Sequence, residues 1–232
     1  MFWKEEKTLI IGDLHLGYEE FLQEQGWSFP NTQLEESLLI LENILKRTGK
    51  LKKIIILGDV KHYFGGILGT EWEDFYLIVS LLKKSLEDNG EIIIIKGNHD
   101  KMIEPIIKKY NFLNLKDSYF EKGVLFFHGD KQSFERNKLE MFDKKVELVV
   151  IAHFHPAVSI RDSAKQEKYR CFLYGKLNNK KIVVVPSFFP LNEGTDVLQE
   201  RLILEDWFSV SGFEVYIIAD SVYDFGKVDK FL

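Results

Sequence analysis

Short apolar runs that end in polar, metal-binding side chains constrain the fold of this chain more than any other feature. The runs are of strand length and are rich in Ile, Leu, Val and Phe: Thr8–Ile11, Lys53–Leu57, Glu91–Ile95, Val124–Phe127, Leu148–Ala152, Ile182–Val185 and Phe213–Ile218. Several are apolar at nearly every position, which is typical of strands that are covered on both faces. The sequence therefore predicts a layered α/β fold.

Helical patterns lie between the early strands. The first predicted helix begins at a capping-box sequence, Thr32–Glu35, and ends at Gly49. The second spans Glu71–Asn89. The third begins just after Asp100. Its apolar side carries Met102, Ile106 and Ile107. The alternation of strands and helices favours a sheet with helices packed on it.

Later in the chain the pattern changes to mostly strands. Tyr169–Leu177 and Lys181–Val185 flank a short polar turn, which predicts a β-hairpin. Ser159–Lys168 reads as a surface excursion before that hairpin. Because no internal repeat or low-complexity linker is visible, residues 1–232 are predicted to form a single domain.

Composition excludes several classes of protein. The net charge of −5 predicts no general attraction to nucleic acid or to anionic membranes, although a local groove or bound metals can still attract a nucleic-acid substrate. The single cysteine, Cys171, rules out an internal disulfide and favours a reducing, cytoplasmic setting. The N-terminal segment is more charged than is expected of a signal peptide, and no apolar run approaches the ~18 residues of a membrane span.

All six histidines fall in one ordered series of motifs near the ends of apolar runs. The motifs are Asp13-Leu14-His15, Gly58-Asp59-Val60-Lys61-His62, Gly97-Asn98-His99-Asp100, His128-Gly129-Asp130 and His153-Phe154-His155. Each motif alone has an ordinary explanation, such as a turn, a helix cap or a core histidine. Together they supply nitrogen and oxygen ligands without a thiolate, which suits a catalytic site rather than a structural zinc site. The series predicts a two-metal phosphoesterase.

Two of these motifs suggest specific roles. The carboxylate of Asp59 can bridge two ions with its two oxygens, which an imidazole cannot do, and Gly58 lets the backbone turn sharply beside it. His99 is placed to face a substrate. Asp100 is placed to hold one ring nitrogen of His99, which would fix its tautomer.

The series resembles the calcineurin-like metallophosphoesterase superfamily over about residues 8–190. Within it, the histidine of Gly58-Asp59-x-x-His62 is similar to that of the SbcD-type repair nucleases, while the short length and the segments Pro186–Pro190 and Gly194–Asp196 resemble the archaeal SbcD-related phosphoesterases. Ala152 is a departure, since many relatives have glycine there. The implied fold is a four-layer α/β arrangement, a two-sheet β-sandwich with helices outside.

The resemblance also implies the site residues. The implied ligands of the first metal are Asp13, His15 and His155. Those of the second are Asn98, His128 and His153, with Asp59 bridging both. The implied catalytic residues are His99 as acid or charge stabiliser, His62 as a substrate-orienting group, and Asp100. Mn²⁺ is the favoured cofactor, and Fe, Zn²⁺, Ni²⁺ or Mg²⁺ also suit these ligands.

The leading functional hypothesis is a phosphodiesterase or nuclease that acts on DNA or RNA, at single strands or ends, through attack of metal-activated hydroxide. One alternative is hydrolysis of a small phosphodiester or nucleotide. Another is a metal-binding subunit of a DNA-repair assembly that is active only with a partner. A homodimer is a further expectation, since the related nucleases are dimers. Tyr63, Phe64 and Trp72 are candidates either to stack on a base or to pack in the core.

The assigned roles predict two classes of variant. We expect Asp59→Asn and His153→Ala to lose metal and activity together, because both residues are implied ligands. His99→Ala should retain both metals and lose turnover, because His99 is expected to act on the substrate. Metal content by mass spectrometry, measured beside phosphodiester hydrolysis, separates the classes. A His99→Ala protein that lacks metal would contradict this division of roles.

Overall fold

The computed structural model describes residues 1–28, 30–66, 69–162, 165–198 and 209–231. It has two β-sheets flanked by helices, so the predicted α/β class is confirmed. The chain forms two compact units. The first unit contains Met1–Asp117 and Phe188–Leu191, and the second contains Ser118–Ser187 and Asn192–Leu232. That the whole chain acts as a single domain stays a prediction.

The sheet of the first unit has five strands in sequence order. They are β1 (Phe2–Trp3), β2 (Thr8–Ile11), β3 (Leu51–Ile56), β4 (Leu86–Ile95) and β5 (Leu113–Lys116). Strands β2 to β5 pair in parallel, and β1 is antiparallel to β2. The carboxyl ends of parallel strands meet at one edge, so this topology brings together the polar motifs that follow β2, β3 and β4.

The helices of the first unit are α1 (Tyr18–Glu24), α2 (Gln33–Thr48), α3 (Gly69–Ser85) and α4 (Glu104–Ile107). Buried strand residues such as Ile54 and Ile92 pack in one core with Ile78 of α3. The predicted end of α3 at Asn89 is wrong, because the chain enters β4 directly at Leu86 and pairs there with β3.

The third predicted helix is much shorter than its sequence pattern suggests. Only Glu104–Ile107 is helical, and Ile106 and Ile107 are buried as the pattern predicts. Met102 is exposed and precedes the helix, with a φ of 72°. Because a left-handed residue interrupts the helix, Met102 does not share its apolar face.

The N-terminus of α2 is capped by a carboxylate from another helix. The helix begins at Gln33, and Gly49 follows it with a φ of 70°, as predicted. The predicted capping box does not form, since the Thr32 side chain makes no capping hydrogen bond. Instead, the buried carboxylate of Glu19 in α1 accepts hydrogen bonds from the backbone nitrogens of Thr32 at 2.9 Å and Gln33 at 3.0 Å. A negative charge is favourable at this end of a helix.

In the part of the chain that the structure describes, the second unit is built on a nine-stranded sheet. Its strands are β6 (Tyr119–Glu121), β7 (Val124–Phe126), β8 (Leu148–Ile151), β9 (Pro156–Asp162), β10 (Lys165–Leu177), β11 (Lys180–Val184), β12 (Thr195–Asp196), β13 (Glu214–Ile218) and β14 (Val222–Lys227). The order is β12-β9-β10-β11-β8-β7-β6, and β13 pairs with β10 and β14. Helix α5 (Lys131–Met141) and a 3₁₀ helix (Val228–Phe231) complete the described part. Strands β7, β8 and β11 are parallel.

The predicted hairpin is confirmed. Strands β10 and β11 pair from Leu177 and Lys180 outward, around a turn at Asn178 and Asn179 that have φ values of 46° and 69°. Asparagine tolerates this left-handed conformation better than most residues. The segment predicted as a surface excursion does lie at the surface, but it is not irregular, because its described residues lie in β9 and β10 and pair with each other. Residues 163 and 164 lie outside the described part.

Cys171 is buried in β10. Burial raises the pKa of this thiol, with a further contribution from the negative charge of Asp196, so the reactive thiolate is disfavoured. Among the helices that the structure describes, none has the length and apolar character needed to cross a membrane.

The capping arrangement predicts an unequal cost for two substitutions. Glu19→Ala should lower the free energy of unfolding by about 1–2 kcal/mol, because it removes the acceptor for two backbone N–H groups at the start of α2. Thr32→Ala should cost clearly less, since its hydroxyl does not cap the helix. Urea unfolding followed by circular dichroism measures both. A larger loss for Thr32→Ala would show that the capping box, rather than Glu19, stabilises this end.

Candidate metal centre

The loops that follow β2 and β3 run side by side. The backbone nitrogen of Asp13 donates to the carbonyl oxygen of Gly58 at 3.0 Å, and that of His15 donates to the carbonyl oxygen of Asp59 at 2.9 Å. The parallel pairing therefore continues past the strand ends, up to an isolated bridge between Leu16 and Lys61. These backbone bonds hold the first two predicted motifs in a fixed register.

Asp59 is buried beside the loop that follows β4, which is the third loop of the site. Its Oδ1 accepts a hydrogen bond from the backbone nitrogen of His99 at 2.9 Å. Gly97 lies so close that a Cβ at this position would overlap both Oδ1 and the backbone nitrogen of Asp59. Glycine is needed at position 97 because the bridging candidate occupies the space of a side chain.

Asp100 ties the loops together through the backbone. Its buried carboxylate accepts hydrogen bonds from the backbone nitrogens of Val60 and Gly97, both at 2.9 Å. The ring of His99 is held by another group: its Nδ1 lies 2.5 Å from the carbonyl oxygen of His62. A carbonyl only accepts, so the hydrogen is on Nδ1 of His99 and Nε2 faces Asp59, 4.0 Å from its Oδ2. The predicted bond from Asp100 to this ring stays a prediction.

Three histidines of the first unit form a cluster. A ring nitrogen from each of His15, His62 and His99 lies within 4.8 Å of the others. Nε2 of His15 is 3.9 Å from Oδ2 of Asp59, and its Nδ1 is 3.4 Å from Nδ1 of His62. Burial lowers the pKa of His62 to about 4, with a smaller contribution from His99, so His62 is neutral at pH 7. Of the other candidates in this unit, Asp13 is buried and Asn98 half-buried.

A buried glutamine supports the backbone at His15. Nε2 of Gln33 donates to the carbonyl oxygen of Leu14 at 3.2 Å and to that of His15 at 2.8 Å. Sequence reasoning did not identify this residue, since Gln33 appeared only as part of the capping-box pattern. No local signal marks it, because its partners lie 18 and 19 positions earlier in the chain.

In the second unit, His128 and His153 come together at the ends of neighbouring parallel strands. His128 follows β7 and His153 follows β8, and Nδ1 of His153 lies 3.2 Å from Nε2 of His128. Two nitrogens that bind the same ion, each at about 2.1 Å, are expected to lie roughly 3 Å apart. Ala152 is not among the described residues with positive φ, so the backbone at this position is compatible with alanine.

His155 is held by an asparagine that the sequence did not reveal. Nδ1 of His155 lies 2.7 Å from Nδ2 of Asn192, and Oδ1 of Asn192 accepts a hydrogen bond from the backbone nitrogen of Gly194 at 2.8 Å. The second bond fixes the orientation of the amide. Asn192 adjoins the Gly194–Asp196 segment that carries part of the family resemblance, which is the one available signal for it.

Backbone strain is concentrated at the candidate ligands. The residues Asp13, His15, Asp59, His153 and His155 all have φ between 45° and 69°. Non-glycine residues rarely adopt this region, since each costs about 1–3 kcal/mol and persists only where its surroundings enforce it. At Asp13, His15 and Asp59, the backbone hydrogen bonds between the two loops enforce it. Such strain is typical of functional sites.

The donor sets of both units fit divalent metal ions. The first unit offers the buried carboxylates of Asp13 and Asp59 beside the imidazole of His15. The second offers imidazoles, two of which converge on one point. Burying charged carboxylates is costly without cations, and oxygen and imidazole ligands suit ions such as Mn²⁺, Fe²⁺ and Zn²⁺.

Comparison with known proteins identifies a family and several similar folds. The family profile for calcineurin-like phosphoesterases matches residues 6–224. The nuclease MPE of Pseudomonas putida has 16% identity and a TM-score of 0.62, over 96% of this chain and 90% of that one. The protein of unknown function AQ665 from Aquifex aeolicus has 21% identity and a TM-score of 0.43, over 64% and 78% of the two chains. A comparison with curated proteins finds no match.

The close approach of Gly97 to Asp59 predicts that one added methyl group at position 97 strongly affects metal binding and stability. Gly97→Ala should weaken metal binding by at least about 10-fold and destabilise the protein, because the new Cβ displaces Asp59 and the third loop. Gly69→Ala is the matched control, since a Cβ there meets nothing within 4 Å. Calorimetric titration with Mn²⁺ and thermal unfolding measure both effects. Equal behaviour of the two variants would mean that this packing does not position Asp59.

Proposed function

This chain belongs to the calcineurin-like phosphoesterase family of metal-dependent phosphoester hydrolases, and we propose that it is a phosphodiesterase that cleaves DNA or RNA at single strands or ends. The observation that carries the proposal is the setting of His99. Its Nδ1 is held by the carbonyl oxygen of His62, and its Nε2 is directed at the buried Asp59. A histidine fixed beside the candidate metal ligands is placed to act as a general acid toward the leaving oxygen of a phosphodiester.

The proposed centre takes two divalent ions, with Mn²⁺ as the preferred metal. The proposed ligands of the first ion are Asp13, His15 and His155. Those of the second are Asn98, His128 and His153, and Asp59 is shared. When bound, the two ions supply positive charge for the phosphate and lower the pKa of the attacking water.

The protein's own residues supply the remaining steps. In its doubly protonated form, His99 donates the proton on Nε2 to the leaving oxygen, or stabilises the charge that develops there, while the hydrogen on Nδ1 stays bonded to the carbonyl of His62. Its orientation follows from the bond between Nδ1 and the carbonyl of His62. His62 borders the same cluster and would orient the phosphate group. Asp100 acts as a positioning residue, because its carboxylate joins the backbones of the second and third loops.

The biological setting is proposed from the SbcD-type resemblance. In this proposal the protein is an SbcD-related enzyme that is organised as one domain and lies in the cytoplasm. It acts in DNA repair, either as a homodimer or bound to a partner. The net charge of −5 makes the ions, rather than the protein surface as a whole, the main attraction for phosphate.

The test is Mn²⁺-dependent cleavage of end-labelled single-stranded DNA and RNA, with bis(p-nitrophenyl) phosphate alongside and Asp59→Asn as the control. We expect the wild-type protein to cleave an oligonucleotide. Asp59→Asn should reduce the rate by more than about 100-fold, because loss of a ligand exceeds the cost of changes around a metal site. The end label also reports the polarity of cleavage.

The other outcomes assign the protein to its alternatives. Turnover of the small diester alone would contradict the nuclease proposal and favour a small-molecule or nucleotide phosphodiesterase. No turnover of any of the three substrates would favour a metal-binding subunit that is active only with a partner.

A further inference from the structure

Phe64 is an exposed aromatic residue that covers the proposed catalytic histidine. The centroids of the Phe64 and His99 rings are 3.7 Å apart, and the ring planes are inclined by 35°. Despite this contact, Phe64 is 52% exposed. A phenylalanine with one side on a histidine and the rest in water presents an apolar surface to whatever approaches His99.

The backbone that carries Phe64 is anchored at the preceding residue. The backbone nitrogen of Tyr63 donates to Oε1 of Glu71 at 2.9 Å, and the carbonyl oxygen of Tyr63 accepts a hydrogen bond from Nζ of Lys61. Lys61 and Glu71 are both buried. Two charged groups of opposite sign therefore hold both polar groups of one residue, and charge-assisted bonds are stronger than neutral ones.

Two glycines, one beside Glu71 and one beside Tyr63, leave room for this anchor. A Cβ at Gly17, where φ is 78°, would overlap the side chain of Glu71, so glycine leaves room for that carboxylate. A Cβ at Gly65 would lie 2.6 Å from Cε1 of Tyr63, so the tyrosine ring folds back over Gly65. Tyr63 is half-buried while Phe64 is exposed. The anchor therefore fixes which of the two aromatic rings faces solvent.

Further aromatic rings border the same histidines. The ring centroids of Tyr18 and Phe21 lie 4.7 and 5.1 Å from that of His62. Trp72, the third aromatic candidate from the sequence, packs against the core of the first unit, with Nζ of Lys109 4.0 Å from its ring centroid. Phe64 is thus the candidate that combines exposure with contact to His99.

We infer that Phe64 is a specificity-determining residue, a platform on which the base next to the scissile phosphate stacks. The inference rests on the proposed function and narrows its substrate class to phosphodiesters with a nucleobase beside the cleaved bond. Stacking on an aromatic ring is tolerant of base identity, because every base has a π-face. The platform would therefore select for a base without selecting a sequence.

The experiment compares two single-stranded oligonucleotides, each with one cleavable phosphodiester among methylphosphonate linkages. One carries thymidine on both sides of that bond, and the other carries tetrahydrofuran abasic residues there. We expect wild-type kcat/KM to favour the thymidine substrate by about 10- to 100-fold, mainly through KM, as the strength of base–aromatic stacking implies. Phe64→Leu should remove most of this preference, and Phe64→Tyr should restore it.

Tyr76→Leu is the matched control, because Tyr76 is also 52% exposed but lies on α3. It should retain the preference. Lys61→Met should weaken the preference, since Tyr63 loses one anchor. Circular dichroism spectra establish that each variant is folded.

Two results would overturn the inference while leaving the proposed function intact. One is equal cleavage of both substrates by the wild-type protein. The other is a Phe64→Leu variant that cleaves both more slowly by the same factor, which would assign Phe64 to holding His99 alone. If the wild-type protein cleaves neither oligonucleotide, the proposed function itself fails and the inference fails with it.

Discussion

The buried carboxylate of Asp59 is the constraint on which the site of the first unit depends. The backbone carbonyl of Asp59 accepts a hydrogen bond from His15 in the loop after β2. Its carboxylate accepts one from the backbone N–H of His99 in the loop after β4. It also excludes any side chain at Gly97. One aspartate thus determines the spacing of all three loops. This explains the strained backbones of Asp13, His15 and Asp59, because each is fixed by backbone bonds to a neighbouring loop rather than by its own preference.

The two units contain candidate ligands of different kinds. The first unit combines buried carboxylates with imidazoles, so its loops carry charge and many backbone bonds. The second unit uses imidazoles at the ends of β7 and β8, with Asn192 holding His155. In both units the ligands follow parallel strands that are neighbours in their sheet. The strand ends determine where the ligands lie, and local hydrogen bonds determine how each ring is turned.

Much of this arrangement is predictable from the sequence, because it depends on short-range patterns. Apolar runs such as Thr8–Ile11 mark buried strands, and the polar residues after them mark the carboxyl edge of a sheet. The wrong predictions depend on distant partners. The helix predicted at Glu71–Asn89 ends early because Leu86 pairs with β3. The capping box does not form because the carboxylate of Glu19 accepts the hydrogen bond from the backbone nitrogen of Thr32. Gln33 and Asn192 were missed for the same reason.

The position of Gln33 has a consequence for how the protein opens. Its backbone nitrogen is capped by Glu19, while its side chain holds the carbonyl of His15. The start of α2 and the His15 loop therefore share a residue, and neither can detach without breaking the bonds of the other. We expect them to behave as one cooperative element, exposing their backbone amides to solvent together rather than in turn. A ligand that stabilises the His15 loop would then also stabilise the first turn of α2.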